Sequence, residues 1–139
     1  MSNEKVGTPS TIIYKSYKLF NTVSLLSYLL LILACVSSPT LQSMKVMQWN
    51  CRALIGKWAS VKPFLLYQAC DVFCLQETHF LPTDVYDFSL PNYTRYDAYG
   101  SNERRQGGVC IYVCNRFPHR QIPLDTQLQA VACSLRVRG

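Results

Sequence analysis

Negative charge is scarce in this sequence and unevenly placed. Eight Asp and Glu face fourteen Lys and Arg across 139 residues, a formal charge of +6. After Glu103 the only carboxylate is Asp125, set against Arg104, Arg105, Arg116, Arg120, Arg136 and Arg138. Such a deficit favours a polyanionic partner, DNA or RNA, with a solvated basic face as the plainer alternative. A long uninterrupted apolar run is also missing. The longest, residues 23–36 (VSLLSYLLLILACV), falls short of the ~20 residues that span a bilayer, though extension back to Leu19 brings it within reach. Nor is there length for more than one domain, because residues 44–139 have room for only a modest core.

Cysteine is not lacking: the chain has seven. Cys51, Cys70, Cys74, Cys110, Cys114 and Cys133 mostly lie inside apolar, strand-like runs, where cysteine behaves as a small hydrophobe. Cys70 and Cys74, or Cys110 and Cys114, suggest zinc pairs only on paper. On a strand, residues four apart share a face about 13 Å apart, too far for one ion with Zn–S near about 2.3 Å. Reduced core thiols are expected, which suits an intracellular body.

The leader, residues 1–43, contrasts with the rest. Its apolar segment, about 19–36, follows Lys15 and Lys18 and precedes small residues at Ala34, Ser37 and Ser38. It reads as a signal peptide or membrane anchor, as a buried apolar N-terminal helix, or as a fused segment unrelated to the domain. A secretory or membrane location follows from the first reading alone.

Past the break at Ser37-Ser38-Pro39-Thr40, residues 45–49 read as a strand with Asn50 at its carboxyl end. Leu54, Trp58, Val61, Leu65 and Leu66 recur at helical spacing. Pro63 pushes the expected helix start to about Val61 with Ser60 as N-cap, since proline is tolerated in a first turn. Residues 71–76 carry four consecutive apolar side chains, the habit of a strand buried on both faces. Residues 82–99 suggest a short helix or loop leading into a half-exposed strand near Tyr93–Tyr96. A turn at 104–108 precedes a strong strand at 109–114. Residues 127–136 alternate and are expected to pair antiparallel with it. The fold class is therefore α/β (α+β).

The chemistry concentrates at strand ends. Glu77, delivered by a buried strand, is the best metal-ligand candidate, able to hold Mg²⁺ with waters and a substrate phosphate; a capping or surface glutamate is the bland reading. Asn50 can orient a phosphate oxygen or simply close a turn. His79 can donate to an anion. Arg104 and Arg105, ahead of two glycines, can touch DNA phosphates, and Tyr93, Tyr96 and Tyr99 offer stacking surfaces.

Gln48-Trp49-Asn50-Cys51-Arg52, Cys74-Leu75-Gln76-Glu77-Thr78-His79 and Gly107-Gly108-Val109-Cys110-Ile111-Tyr112-Val113 together resemble the opening of an endonuclease/exonuclease/phosphatase domain. The variant resembled is the apurinic-type endonuclease of non-LTR retrotransposon polyproteins. Residues 91–97 and 124–132 fit the same pattern, so the resemblance runs from Met44 to Arg138. It implies a four-layer α/β sandwich, of which residues 44–139 form roughly the first half, and Mg²⁺-dependent hydrolysis of a DNA phosphodiester, with no small-molecule cofactor. By resemblance Glu77 is the metal ligand, and Asn50 belongs to the polar network near the scissile phosphate. The family setting also implies a nuclear or cytoplasmic location. Arg52 stands where repair relatives commonly carry aspartate, and Ala53 replaces the usual glycine, which argues against abasic-site repair. The family's later Asp-x-Asn and Ser-Asp-His elements do not occur after Val113. This chain is therefore expected to be inactive or nearly so. A membrane-tethered or secreted basic protein and a nucleic-acid-binding remnant are the alternatives.

Overall fold

The computed structural model describes residues 10–17 and 44–137, the former as backbone only. The apolar segment 19–36 lies outside the described residues. Among those described, no helix is long and apolar enough to cross a membrane.

Strand β2 (Val46–Asn50) leads through a 3₁₀ turn (Ile55–Lys57) into helix α1 (Trp58–Gln68), and the chain returns as β3 (Val72–Gln76). The two strands are parallel, Val46 opposite Val72 and Asn50 opposite Gln76, as a crossover connection requires. The helix begins three residues before the expected Val61, and Ser60 is not its cap; Lys57 occupies that position. Tertiary contact outweighs the penalty of an internal Pro63. Trp58 stacks on Tyr112 with ring centroids 6.2 Å apart, meets Phe88 edge-on at 5.5 Å, and donates its indole N–H to the Asp87 carbonyl at 3.1 Å. At the other end Ala69 turns left-handed (φ 46°) and its N–H closes on the Leu65 carbonyl, which stops the helix.

Beyond β3, a loop reaches β4 (Tyr93–Ala98), followed by β5 (Val109–Cys114), β6 (His119–Ile122) and β7 (Ala130–Val137). One sheet has the order β2-β3-β5-β4, and a second has β1-β7-β6, where β1 is Ser10–Tyr17. Residues 127–136 were expected beside β5. Instead β7 pairs antiparallel with β1 and β6, because both edges of β5 are taken by β3 and β4. The alternation reports which face of β7 is covered, not which strand lies beside it. Strand β1 belongs to the stretch assigned to the leader, and its backbone joins the second sheet from Ser10 opposite Val137 to Tyr17 opposite Ala130. The short β6 has one apolar residue, Ile122, and gave no sequence signal.

The four-stranded sheet is covered on both faces. On one, Phe73, Leu75, Cys110 and Tyr112 pack with Leu54, Val61 and Leu65 of the crossover and with Phe80, Phe88 and Leu90 of the following loop. On the other, Val72, Cys74, Val109, Ile111 and Val113 meet Val131, Cys133, Leu135 and Val137 of β7. Strand β3 thus lies between two cores, the origin of its unbroken apolar run. The six described cysteines are all free thiols, five of them buried. Burial pushes Cys51, Cys74 and Cys133 up to about 12, as low polarity disfavours a thiolate. Asp71 locks the base of the sheet: its carboxylate accepts the Lys45 N–H at 2.9 Å and pairs with Arg116, and its carbonyl accepts the Cys114 N–H at 2.9 Å.

Candidate active site

Asn50 ends β2 opposite Gln76, so Asn50 and Glu77 emerge at the carboxyl ends of neighbouring parallel strands. That is where open α/β sheets place their ligands. Both side chains are half-buried. Beyond Asn50 the chain turns sharply. The Asn50 Oδ1 accepts the Arg52 N–H at 3.2 Å, and Arg52 and Ala53 are left-handed at φ 45° and 66°. The Lys57 ammonium donates to the carbonyls of Cys51 and Arg52 at 2.9 and 2.8 Å.

The second loop departs from ladder geometry in the same way, with Glu77 and His79 at φ 52° and 57°. It is laced to the first: the Ala53 N–H donates to the Glu77 carbonyl at 2.9 Å, and the Leu54 N–H to that of Thr78 at 3.0 Å. On its other side it is laced to the glycine turn, with the Thr78 N–H on the Gly108 carbonyl at 3.3 Å and the His79 N–H on that of Gly107 at 2.9 Å. Gly107 and Gly108 are themselves at φ 58° and 79°. Left-handed backbone at a side chain costs of order 1–3 kcal/mol per residue and persists only where its surroundings over-determine it. Four such residues and two glycines meet here, so Glu77 is held by backbone on both sides.

The other candidates divide. His79, half-buried, joins the cluster through its main chain. Arg105, although exposed, is engaged by neighbouring groups of the protein: its guanidinium takes both oxygens of Asp84 and donates to the His79 carbonyl at 3.2 Å. The hydrogen bonds from Arg105 hold the Asp84 carboxyl below its usual range, burial opposing them. Arg105 thus braces the Glu77 loop from outside. Arg104 is exposed, its N–H bonded to the Ser101 hydroxyl at 3.1 Å. Tyr93 is not brought to the cluster. It lies opposite Cys114 at the far end of the sheet, donating its hydroxyl to the Cys70 carbonyl at 2.7 Å. Tyr96 bonds the His119 Nδ1 at 2.8 Å, tying the two sheets together.

Sequence reasoning missed three residues. Gln129 acts on main-chain groups far along the chain and Lys57 on the carbonyls of an irregular turn just before it, and no periodic pattern announces either. Arg95 lies on the covered face of β4, its Nε 2.8 Å from Asp97 and its guanidinium 5.3 and 5.9 Å from the ring centres of Phe80 and Phe88. Burial raises the Asp97 carboxyl, Arg95 opposing. These two groups border a polar cavity of about 260 Å³ together with Tyr86, Asp87, Ser89 and Tyr93. Alternation along Tyr93-Thr94-Arg95-Tyr96-Asp97 was the available signal, since it places Arg95 and Asp97 on one face.

No protein-family model matches the sequence, and no curated protein matches it significantly. Among solved structures the chain is similar to the AP endonuclease LMAP from Leishmania major, at 20% identity and a TM-score of 0.50, over 59% of this chain and 30% of that one. It is also similar to the catalytic domain of APE2 from Xenopus laevis, at 19% identity and a TM-score of 0.49, over 56% and 26%. The chain therefore spans less than a third of the length of either structure. The architecture of the described residues, two sheets and one α-helix in a mixed α/β arrangement, is similar to the AP endonuclease fold.

Proposed function

We propose that residues 44–139 carry the front part of a Mg²⁺-dependent phosphodiester hydrolase acting on DNA, of the endonuclease kind found in non-LTR retrotransposons. We propose also that this chain alone does not complete the reaction. The observation that carries the reading is the placement of Glu77 and Asn50 at adjacent strand ends inside a strained, cross-laced backbone. The fold similarity and the sequence motifs support it independently.

The donor set suits one kind of metal site. Among the described residues no three His, Cys, Asp or Glu side chains converge on a point, so an all-protein cage is not what they build. Mg²⁺ keeps several waters and is commonly held by one or two carboxylates plus substrate phosphate. Glu77, half-buried at the mouth of the strands, fits that pattern. A Mg²⁺ there would supply charge neutralisation for a phosphoryl group. Asn50 accepts the Arg52 N–H on Oδ1; a phosphate oxygen, being an acceptor, would be met by the amide N–H end. His79 and the exposed Arg104 add donors for an anion.

Water must also be set up for in-line attack, which calls for a base and further oxyanion donors. By resemblance those belong to Asp-x-Asn and Ser-Asp-His elements, and neither follows Val113. The test is relaxation of supercoiled plasmid in Mg²⁺ by this chain and by Glu77→Gln. Equal, background nicking by both is expected; cleavage that disappears with Glu77→Gln would refute the inactivity of this chain. Exposed Arg104, Arg120 and Arg136 support a second reading, a nucleic-acid-binding remnant. Its signature is binding of duplex DNA that weakens steeply with salt.

A further inference from the structure

The loop that presents Glu77 is held from outside its own strand. Past Gln76 the main chain leaves the ladder and rests on the carbonyls of Gly108 and Gly107. Those glycines have no side chains to anchor them, and their support comes from the second sheet. Gln129, the residue before β7, accepts the Gly108 N–H on Oε1 at 2.9 Å and donates Nε2 to the Gly100 carbonyl at 3.3 Å. Both ends of one amide are used, which fixes its orientation. The approach is close enough to exclude side chains. A Cβ on Gly107 would lie 2.2 Å from Gln129 Oε1, one on Gly108 2.8 Å from Thr78 Oγ1, and one on Gly100 1.9 Å from the Gln106 carbonyl.

We propose that Gln129 is a positioning residue for Glu77, setting the metal-holding carboxylate from the second sheet through Gly108 and Thr78. This rests on reading Glu77 as the metal ligand. Gln129 touches neither ion nor phosphate. Its amide fixes the glycine turn, the turn fixes the Thr78 and His79 amides, and these fix the left-handed Glu77 between them and Ala53. The packing of β7 on the four-stranded sheet is thereby coupled to the geometry of the site. Replacing the amide by a methyl group would leave the Gly108 N–H and the Gly100 carbonyl without this partner and free the turn to shift.

The test uses the ¹⁵N-labelled full chain, with Mn²⁺ as the probe. Broadening of amide resonances around residues 77–79 reports the ion, and hydrogen exchange at Thr78 and His79 reports the loop. Gln129→Ala is expected to weaken Mn²⁺ binding about tenfold, the usual effect of losing a support behind a ligand, and to speed exchange at both amides. Gln129→Glu keeps the acceptor for Gly108 and is expected to recover most of the protection. Leu65→Val, which thins the other core beneath α1 and leaves β7 and the turn alone, is expected to leave Mn²⁺ affinity unchanged while the chain stays folded. Should Glu77→Gln abolish the broadening while Gln129→Ala leaves affinity intact, the proposal is overturned. Should Glu77→Gln not affect Mn²⁺, the metal reading fails instead, and exchange then decides: unchanged protection in Gln129→Ala overturns the positioning role, and faster exchange confined to the loop upholds it.

Discussion

One residue shows how narrowly the candidate site is specified. Gly108 combines φ 79° with a Cβ position 2.8 Å from the Thr78 hydroxyl. Gly108→Ala therefore meets both backbone strain and a clash. We expect a loss of roughly 1–3 kcal/mol in urea denaturation, with the largest chemical-shift changes at Thr78 and His79. Asp71 and Arg116 form an unequal pair. The aspartate side chain is 5% exposed and the arginine 60%, so removing either is not equivalent. Asp71→Ala leaves the Lys45 N–H without its acceptor and is expected to cost about 1–3 kcal/mol. Arg116→Ala removes an exposed partner and is expected to cost under about 1 kcal/mol, both read from denaturation midpoints. Glu77 and Asn50 were legible in the sequence because apolar runs end at them. Gln129 and Lys57 were not, because a polar side chain that bonds to main chain, distant for Gln129 and in an irregular turn for Lys57, leaves no periodic trace.

At the scale of elements, the sequence marked β2, β3, β4 and β5 to within a residue or two, since consecutive or alternating apolar residues fix how many faces a strand buries. Partnership was harder to read. Val131, Cys133, Leu135 and Val137 point into the inter-sheet core, and the same pattern would serve beside β5 or across from it. Helix α1 misled for a different reason: Pro63 was read as a boundary, whereas Trp58 and its aromatic neighbours carry the helix through it. Proline at the sixth helical position lacks the N–H that would bond back into the preceding turn. Pro63→Ala is accordingly expected to stabilise the protein by about 1–3 kcal/mol, below the full helix-propensity difference because alanine also loosens the unfolded chain. Thermal denaturation at fixed pH measures this, and a fall in midpoint would show that the ring itself packs in the native state.

For the molecule as a whole, the buried thiols set the alkaline limit of stability. Burial pushes Cys51, Cys74 and Cys133 up to about 12 in the folded state, from the 9.0 of an exposed thiol. Between those values the unfolded chain has lost these protons and the native one has kept them, so stability is full below about pH 9 and falls as pH rises. Each thiol contributes a slope of up to about 1.4 kcal/mol per pH unit. Urea midpoints measured at pH 8, 9 and 10 should decline progressively more steeply, and Cys74→Ser or Cys133→Ala should each flatten the decline. A midpoint independent of pH over that range would contradict the burial of these groups.

The same thiols give the protein a built-in gauge of its own breathing. Cys114 is half-exposed at a strand end, Cys51 and Cys110 lie under the crossover helix, and Cys74 and Cys133 face each other's sheet across the second core. A thiol-reactive reagent must wait for the chain to open before it meets each of the last four. The order in which they are captured would report which layer parts first, with no label introduced and no residue changed.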